Sequence, residues 1–278
     1  NKVEDYIYNF RDNISVSILN ETGEFIVDIN SKTPRIPASN QKILSSAFTL
    51  DNLGPHYALK TSLIKLSTGE LYIDAAGDPD FEKTHLELLI SNLNNSKHLS
   101  QDKIPIIIKN INIYDWWPSS WSNADKKEEY GAPITKYSLA SNSSKKALNN
   151  PIDNFIDELD SLLKKQNLSN KYYVQKVDDN FNIDHIRTIK SIYSAPLYVL
   201  LNLVNSESHN FTAEVIFRHS LKNWSHEFPN IKYSKWLKDQ NISTDNFFFA
   251  DASGLSRKNR VTTFGLSQFL RRMKLNRF

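Results

Sequence analysis

The sequence predicts an α+β fold, and three observations carry that expectation. An alternating, hairpin-like pattern opens the chain and runs into an apolar helix. From about residue 61 the texture changes to short strands, loops and isolated helices, and beyond residue 185 helical stripes dominate again. With 278 residues the chain is long enough for one large domain or two ordinary ones. Its 40% hydrophobic and 23% charged residues are those of a globular protein rather than a disordered one.

Taken in order, residues 13–19 place Ile14, Val16 and Ile18 on one face, and residues 25–29 do the same with Phe25, Val27 and Ile29. The glycine-bearing loop Asn20-Glu21-Thr22-Gly23-Glu24 joins the two runs into a β-hairpin. Pro34 and Pro37 break the chain. Ile43, Leu44, Ala47, Phe48 and Leu50 then fall at helical spacing until Gly54-Pro55 stops the helix. So apolar a stripe places this helix in a core and buries part of Lys42 with it. Residues 71–74 read as a strand, Gly77-Asp78-Pro79-Asp80 as a tight turn, and Leu86, Leu89, Ile90 and Leu93 as a helix. Residues 104–114 read as a strand, as do residues 172–177. Between them Ile152, Phe155, Ile156, Leu159, Leu162 and Leu163 form the cleanest helical stripe in the chain. Two further helices carry Leu197, Leu200, Leu201 and Val204, then Phe211, Val215, Ile216 and His219. A short strand over residues 247–250 and a last stripe of Phe264, Leu266, Phe269, Leu270 and Met273 follow.

Several chemistries are disfavoured by composition. A formal net charge of +3 without a basic stripe argues against a nucleic-acid partner. No apolar run approaches the length of a membrane span, and no signal-like segment opens the chain. The absence of cysteine removes disulfides, thiol nucleophiles and thiolate metal sites. The seven histidines form no HExxH or other close ligand pair, so neither metal nor cofactor is expected.

Serine-centred elements remain. In Pro37-Ala38-Ser39-Asn40-Gln41-Lys42 a serine at a helix start stands three residues before a lysine, on one helix face. Such a pair is either a nucleophile with its base or a capping serine beside a solvated lysine. Chance copies exist, as in Ser143-Ser144-Lys145-Lys146 and Ser161-Leu162-Leu163-Lys164, the latter in mid-helix. Ser208-His209-Asn210 lies between two helices. In an extended loop Ser208 and Asn210 point the same way, into a cleft; the other reading is a helix cap. Asp251-Ala252-Ser253-Gly254-Leu255-Ser256 reads as a structural glycine turn.

Together these segments resemble the class C low-molecular-mass penicillin-binding proteins, the D-alanyl-D-alanine carboxypeptidase/endopeptidases of the penicillin-binding protein 4 type. Ser39-x-x-Lys42 and its apolar helix resemble the family's first motif, and Leu71-Tyr72-Ile73-Asp74-Ala75-Ala76-Gly77-Asp78-Pro79 its strand and Gly-Asp-Pro turn. Trp121, Tyr130-Gly131-Ala132-Pro133 and Ser138-Leu139-Ala140-Ser141-Asn142 resemble its Tyr-Gly-Ala stretch. Tyr193-Ser194-Ala195-Pro196-Leu197 precedes Ser208-His209-Asn210-Phe211-Thr212-Ala213-Glu214 as in the family, and Asp251 to Arg257 resembles its Asp-Gly-Ser-Gly-Leu-Ser-Arg signature. The resemblance implies a penicillin-recognising, β-lactamase/transpeptidase-like domain, with an antiparallel sheet flanked by helices. That domain would be drawn from residues 1–60 and 185–278, with a reduced α/β domain inserted over 61–184. It implies Ser39 as acylated nucleophile, Lys42 as base, Ser208 as proton donor to the leaving D-alanine, and Asn210 as substrate contact. The implied partners are peptidoglycan peptides ending in D-Ala-D-Ala and β-lactam antibiotics, and the implied location is the periplasm or another extracytoplasmic compartment.

Two features depart from the family pattern. His209 stands where a smaller or acidic residue is usual. The family's carboxylate-binding Lys-Thr-Gly motif has no counterpart after Ser256, since Thr22-Gly23 and Thr68-Gly69 are early turns. Without the late strands that carry the motif, the sheet beside the hairpin would keep an open edge, so the protein is expected to continue beyond Phe278. A competing expectation is a non-catalytic peptidoglycan-binding homologue. A Ser-His-Asp hydrolase is disfavoured because no Gly-x-Ser-x-Gly elbow exists. Trp116, Trp117 and Trp121 are expected in the core of the inserted domain rather than along a glycan groove, and Arg257-Lys258-Asn259-Arg260 in a solvated loop.

Overall fold

In the computed structural model, which describes residues 8–95 and 102–275, the N-terminal alternation becomes β1 (Val16–Leu19) antiparallel to β2 (Phe25–Ile29). Val27 and Ile29 are buried, while Ile18, Phe25 and Ile26 stay exposed. Among the described residues no third strand joins this pair. The two prolines lead through the turn Ala38–Asn40 into α1 (Gln41–Leu53), which ends at Gly54.

The middle of the chain builds a second sheet. Its elements are β3 (Ala58–Leu66), β4 (Leu71–Asp74), α2 (Lys83–Ile90), β5 (Ile104–Asn110), α3 (Pro151–Lys165), β6 (Tyr172–Asp178) and β7 (His185–Pro196), with strands in the order β6-β5-β4-β3-β7. β3 is antiparallel to β4 and β7, whereas β5 runs parallel to β4 and β6. Parallel neighbours need a crossover, and α2 and α3 are those crossovers. They bury Leu86, Leu89, Phe155, Leu159 and Leu162 against Leu63, Ile73, Ile106 and Ile108 of the sheet. Each such side chain contributes about 1.5–3 kcal/mol when fully buried. The α3 stripe is therefore used as its spacing suggests.

Strand β7 was not legible as a strand, because helical texture is expected from residue 185. Most of its residues are exposed or half-buried, since it is an edge strand held by backbone pairing to β3 rather than by an apolar stripe. The chain enters this sheet on β3 and leaves it on the neighbouring β7.

Four helices complete the fold: α4 (Leu197–Ser206), α5 (Asn210–Leu221), α6 (Asn230–Asp239) and α7 (Thr263–Leu275). α7 covers the hairpin, where Ser267 Oγ donates to the Ser17 carbonyl at 3.0 Å and the Phe264 ring lies 4.9 Å from that of Phe25. α1 and α5 run through the centre. Leu44 and Phe48 of α1 meet Phe217 of α5, Tyr233, Phe249 and Phe269 in one core, and Val215 and Ile216 of α5 meet Leu197, Leu200 and Trp121 in another. The expected strand over residues 247–250 is reduced to a single bridge between Phe248 and Arg260. The fold is thus α+β, an antiparallel pair flanked by helices with a second α/β unit, as the sequence predicts.

Candidate active site

Residues far apart in the chain meet at the N-terminal end of α1. Ala38 has φ 48°, a left-handed conformation that costs a residue with a Cβ about 1–3 kcal/mol, and it turns the chain so that Ser39 precedes the helix. What holds the turn is Gly254, itself at φ 83°. A Cβ at this glycine would stand 1.9 Å from the Ala38 carbonyl oxygen and 2.9 Å from Gln41 Cβ. Gly254→Ala is therefore expected to push the Ser39 turn out of place. It should lower stability by about 1–3 kcal/mol, read as a lower midpoint in thermal or urea unfolding.

Lys42 is 2% exposed, and its Nζ has three hydrogen-bond acceptors: Asn210 Oδ1 at 2.6 Å, the Ser253 carbonyl at 2.7 Å and Ser39 Oγ at 3.3 Å. Burial lowers its pKa to about 8, partly opposed by the negative charges of Glu214 and Asp251. An ammonium uses all three acceptors. A neutral amine keeps two N–H groups, and the two short contacts take them. The lone pair then faces the third and longest partner, the Ser39 hydroxyl. The geometry thus aims the lone pair of a neutral Lys42 amine at the Ser39 hydroxyl.

Ser208 also adopts a left-handed φ of 57°, and its Oγ donates to Ser39 Oγ at 2.8 Å. Its hydroxyl serves Ser39 rather than capping α5, whose cap residue is His209. Asn210 opens α5 with both amide atoms engaged: Oδ1 accepts from Lys42, and Nδ2 donates to the Tyr130 carbonyl at 2.9 Å. These two partners fix which amide atom faces the lysine. The His209 ring bonds Thr212 Oγ1 at 2.7 Å, inside its own helix.

Behind these groups lies the turn 251–256, read from the sequence as structural. It is that, and it also supplies a contact the sequence reading missed, the Ser253 carbonyl on Lys42. Fully buried Asp251 accepts from Trp121 Nε1 at 2.8 Å, Gly254 N at 2.8 Å, Ser256 N at 2.6 Å and Asn259 Nδ2 at 2.7 Å. Ser45 Oγ of α1 donates to the Ala252 carbonyl at 2.7 Å. Trp116 is buried in the core of the five-stranded sheet, whereas Trp121 packs with Leu59, Leu197 and Val215 in the helical core. Arg257 borders a cleft, and Asn259 of the basic cluster is fully buried rather than solvated. The Tyr130 carbonyl was a second missed contact; its signal is only the placement of Tyr130-Gly131-Ala132 between the two motifs.

Two clefts meet at Ser39. One, of about 590 Å³, runs between Ile43, Ala47 and Leu50 of α1 and Leu201 and Val204 of α4. The other, of about 460 Å³, is bordered by Ile36, Asp125, Tyr130, Asn210, Leu255 and Arg257. Ser39 is thus open to a ligand on both sides while the Lys42 amine beside it is buried.

The sequence model of the D-Ala-D-Ala carboxypeptidase 3 (S13) family matches residues 9–151 and 136–277 of this chain. No curated protein sequence matches it. Among solved structures, penicillin binding protein 4 from Haemophilus influenzae is similar with a TM-score of 0.73 at 17% identity, over 91% of this chain and 74% of that one. Its complex with a novel β-lactam gives 0.64 at 19% identity, over 90% and 72%. A predatory peptidoglycan endopeptidase from Bdellovibrio bacteriovorus gives 0.52 at 16% identity, over 92% and 67%. At these identities the structural likeness is one of fold.

Proposed function

Because the chain belongs to the D-Ala-D-Ala carboxypeptidase 3 (S13) family, we propose that it is a serine D-Ala-D-Ala carboxypeptidase, with endopeptidase action on peptidoglycan cross-links as a second use of the same site. The observation that carries this reading is the hydrogen-bonded chain from Ser208 Oγ through Ser39 Oγ to Lys42 Nζ and on to Asn210 Oδ1. It joins three segments of sequence around one hydroxyl.

In this mechanism neutral Lys42 takes the Ser39 proton as Oγ attacks the carbonyl carbon of the penultimate D-alanine. Backbone N–H groups, one of them from Ser39, hold the oxyanion. The C–N bond then breaks, the leaving D-alanine amine gaining a proton through Ser208, and an acyl-enzyme remains on Ser39. Water attacks the ester and releases the shortened peptide. Asn210 orients Lys42 through Oδ1 and offers the second N–H of Nδ2, the one not held by the Tyr130 carbonyl, to the substrate backbone. A β-lactam would follow the first half of this path and stay on Ser39. Among the described residues no helix is long and apolar enough to cross a membrane. The substrate class favours an extracytoplasmic location.

The competing reading, a peptidoglycan-binding homologue without catalysis, fits the site less well. A binding protein has no need of a buried lysine or of two left-handed residues around a serine, each of which costs stability. The test is incubation with a labelled penicillin and with a synthetic pentapeptide ending in D-Ala-D-Ala. The expected result is one label per chain, on the peptide containing Ser39 by mass spectrometry, and D-alanine release that the penicillin blocks. A label elsewhere, or none together with no D-alanine released, would overturn the proposal.

A further inference from the structure

Glu214 has no part in the steps above, yet it is among the most buried carboxylates of the site, at 3% exposure. It lies on α5 four residues after Asn210, so the two share a helix face. Oε1 accepts the N–H groups of Ala252 at 2.9 Å and Ser253 at 2.8 Å. The carbonyl of that same Ser253 is the 2.7 Å acceptor of Lys42 Nζ. The peptide that carries this carbonyl is itself tied by Gly254 N to Asp251 at 2.8 Å, and Glu214 holds the peptide before it. A shift of the Glu214 carboxylate would therefore move the acceptor that orients the lysine.

The charged groups around it are Lys42 from α1, Arg218 from α5 and Asp251 from the glycine turn. His226 and Glu227 lie across a small cavity of about 20 Å³, room for about one water, which Glu214 and Arg218 also line. Arg218 directs its Nη1 to the carbonyls of Asp115, Ile134 and Trp224.

We propose, resting on the reading of Lys42 as base, that Glu214 is a positioning residue for acylation: it holds the Ser253 carbonyl against the Lys42 amine and sets a buried negative charge beside it. The charge has two opposite consequences. At rest it keeps the proton on Lys42, delaying formation of the base to higher pH. In the reaction it stabilises the ammonium that forms when Lys42 takes the Ser39 proton. Burial and the charge of Asp251 push the Glu214 carboxyl up to about 7, while Arg218 pulls it down. Among the charges acting on Lys42, that of Glu214 is the largest.

Glu214→Gln tests this, because the amide keeps an acceptor oxygen for Ala252 N and Ser253 N while losing the charge. In penicillin acylation rates measured from pH 5.5 to 10, the rising limb is expected to move down by about one pH unit, with a lower plateau at high pH. A purely structural role would lower the plateau and leave the limb where it is. An unmoved limb overturns the proposal. If the variant does not fold, wild-type protein labelled with ¹³Cε-lysine decides: the Lys42 resonance should show a second inflection near pH 7 from its neighbour. A single-site titration would overturn the coupling. If wild-type protein takes up no penicillin, the functional reading fails, while the lysine titration still judges the role of Glu214.

Discussion

Ser39→Ala is expected to abolish covalent penicillin uptake while leaving the fold intact. The acyl-enzyme needs an Oγ, and no other hydroxyl at the site stands against the lysine: Ser208 Oγ reaches it only through Ser39. The stability cost should be small, because Ser39 Oγ is the longest of the three Lys42 contacts and Asn210 and Ser253 retain theirs. A loss within about 1 kcal/mol is expected, the net worth of one hydrogen bond. Intact-mass spectrometry after incubation, paired with thermal unfolding, separates the two effects. Equal labelling of wild type and variant would refute Ser39 as nucleophile.

Lys42→Met is expected to reduce acylation by about 10²- to 10⁴-fold, the usual contribution of a positioned general base. Methionine fills much of the same volume and removes the cost of a buried ammonium. It leaves Asn210 Oδ1 and the Ser253 carbonyl without their donor, at about 1–3 kcal/mol for each buried group. The pH profile tells more than the rate. Burial lowers the Lys42 pKa to about 8, so below that pH the amine is protonated and cannot accept the Ser39 proton, and above it the base is present. Wild-type acylation should therefore climb as pH rises through about 8, and the variant should lose that limb. Lys42→Arg should not restore it, because a guanidinium stays protonated throughout this range. Stopped-flow or quenched labelling against pH checks both statements, and a wild-type rate that is flat between pH 6 and 9 would remove Lys42 as base.

Much of the fold was legible because burial follows period. The α3 stripe packs as its spacing suggests, and so do Leu44 and Phe48 of α1 and Val27 and Ile29 of the hairpin, while Ile18, Phe25 and Ile43 on the same predicted faces stay exposed. β7 was not legible, since backbone pairing to β3 sets it and its side chains stay half exposed. The bridge at Phe248 reads as a strand because Phe247 and Phe249 of its aromatic run pack into a core while Phe248 faces out, without a ladder forming.

The sequence by itself determined which residue types could do chemistry and in which order they occur: a serine three residues before a lysine, a Ser-x-Asn between helices, and a glycine turn after a short apolar run. Spacing along the chain carries that much, because residues three apart on a helix must share a face. It could not distinguish a catalytic Ser39 from a capping one, nor a buried Lys42 from a solvated one. Those choices depend on groups more than 150 residues away in sequence, Asn210 on the amine and Ser253 behind it. They also depend on a glycine whose missing side chain lets two turns touch. Only the tertiary structure brings these together, and burial, which lowers the lysine pKa, is a property of the packed core rather than of any tetrapeptide.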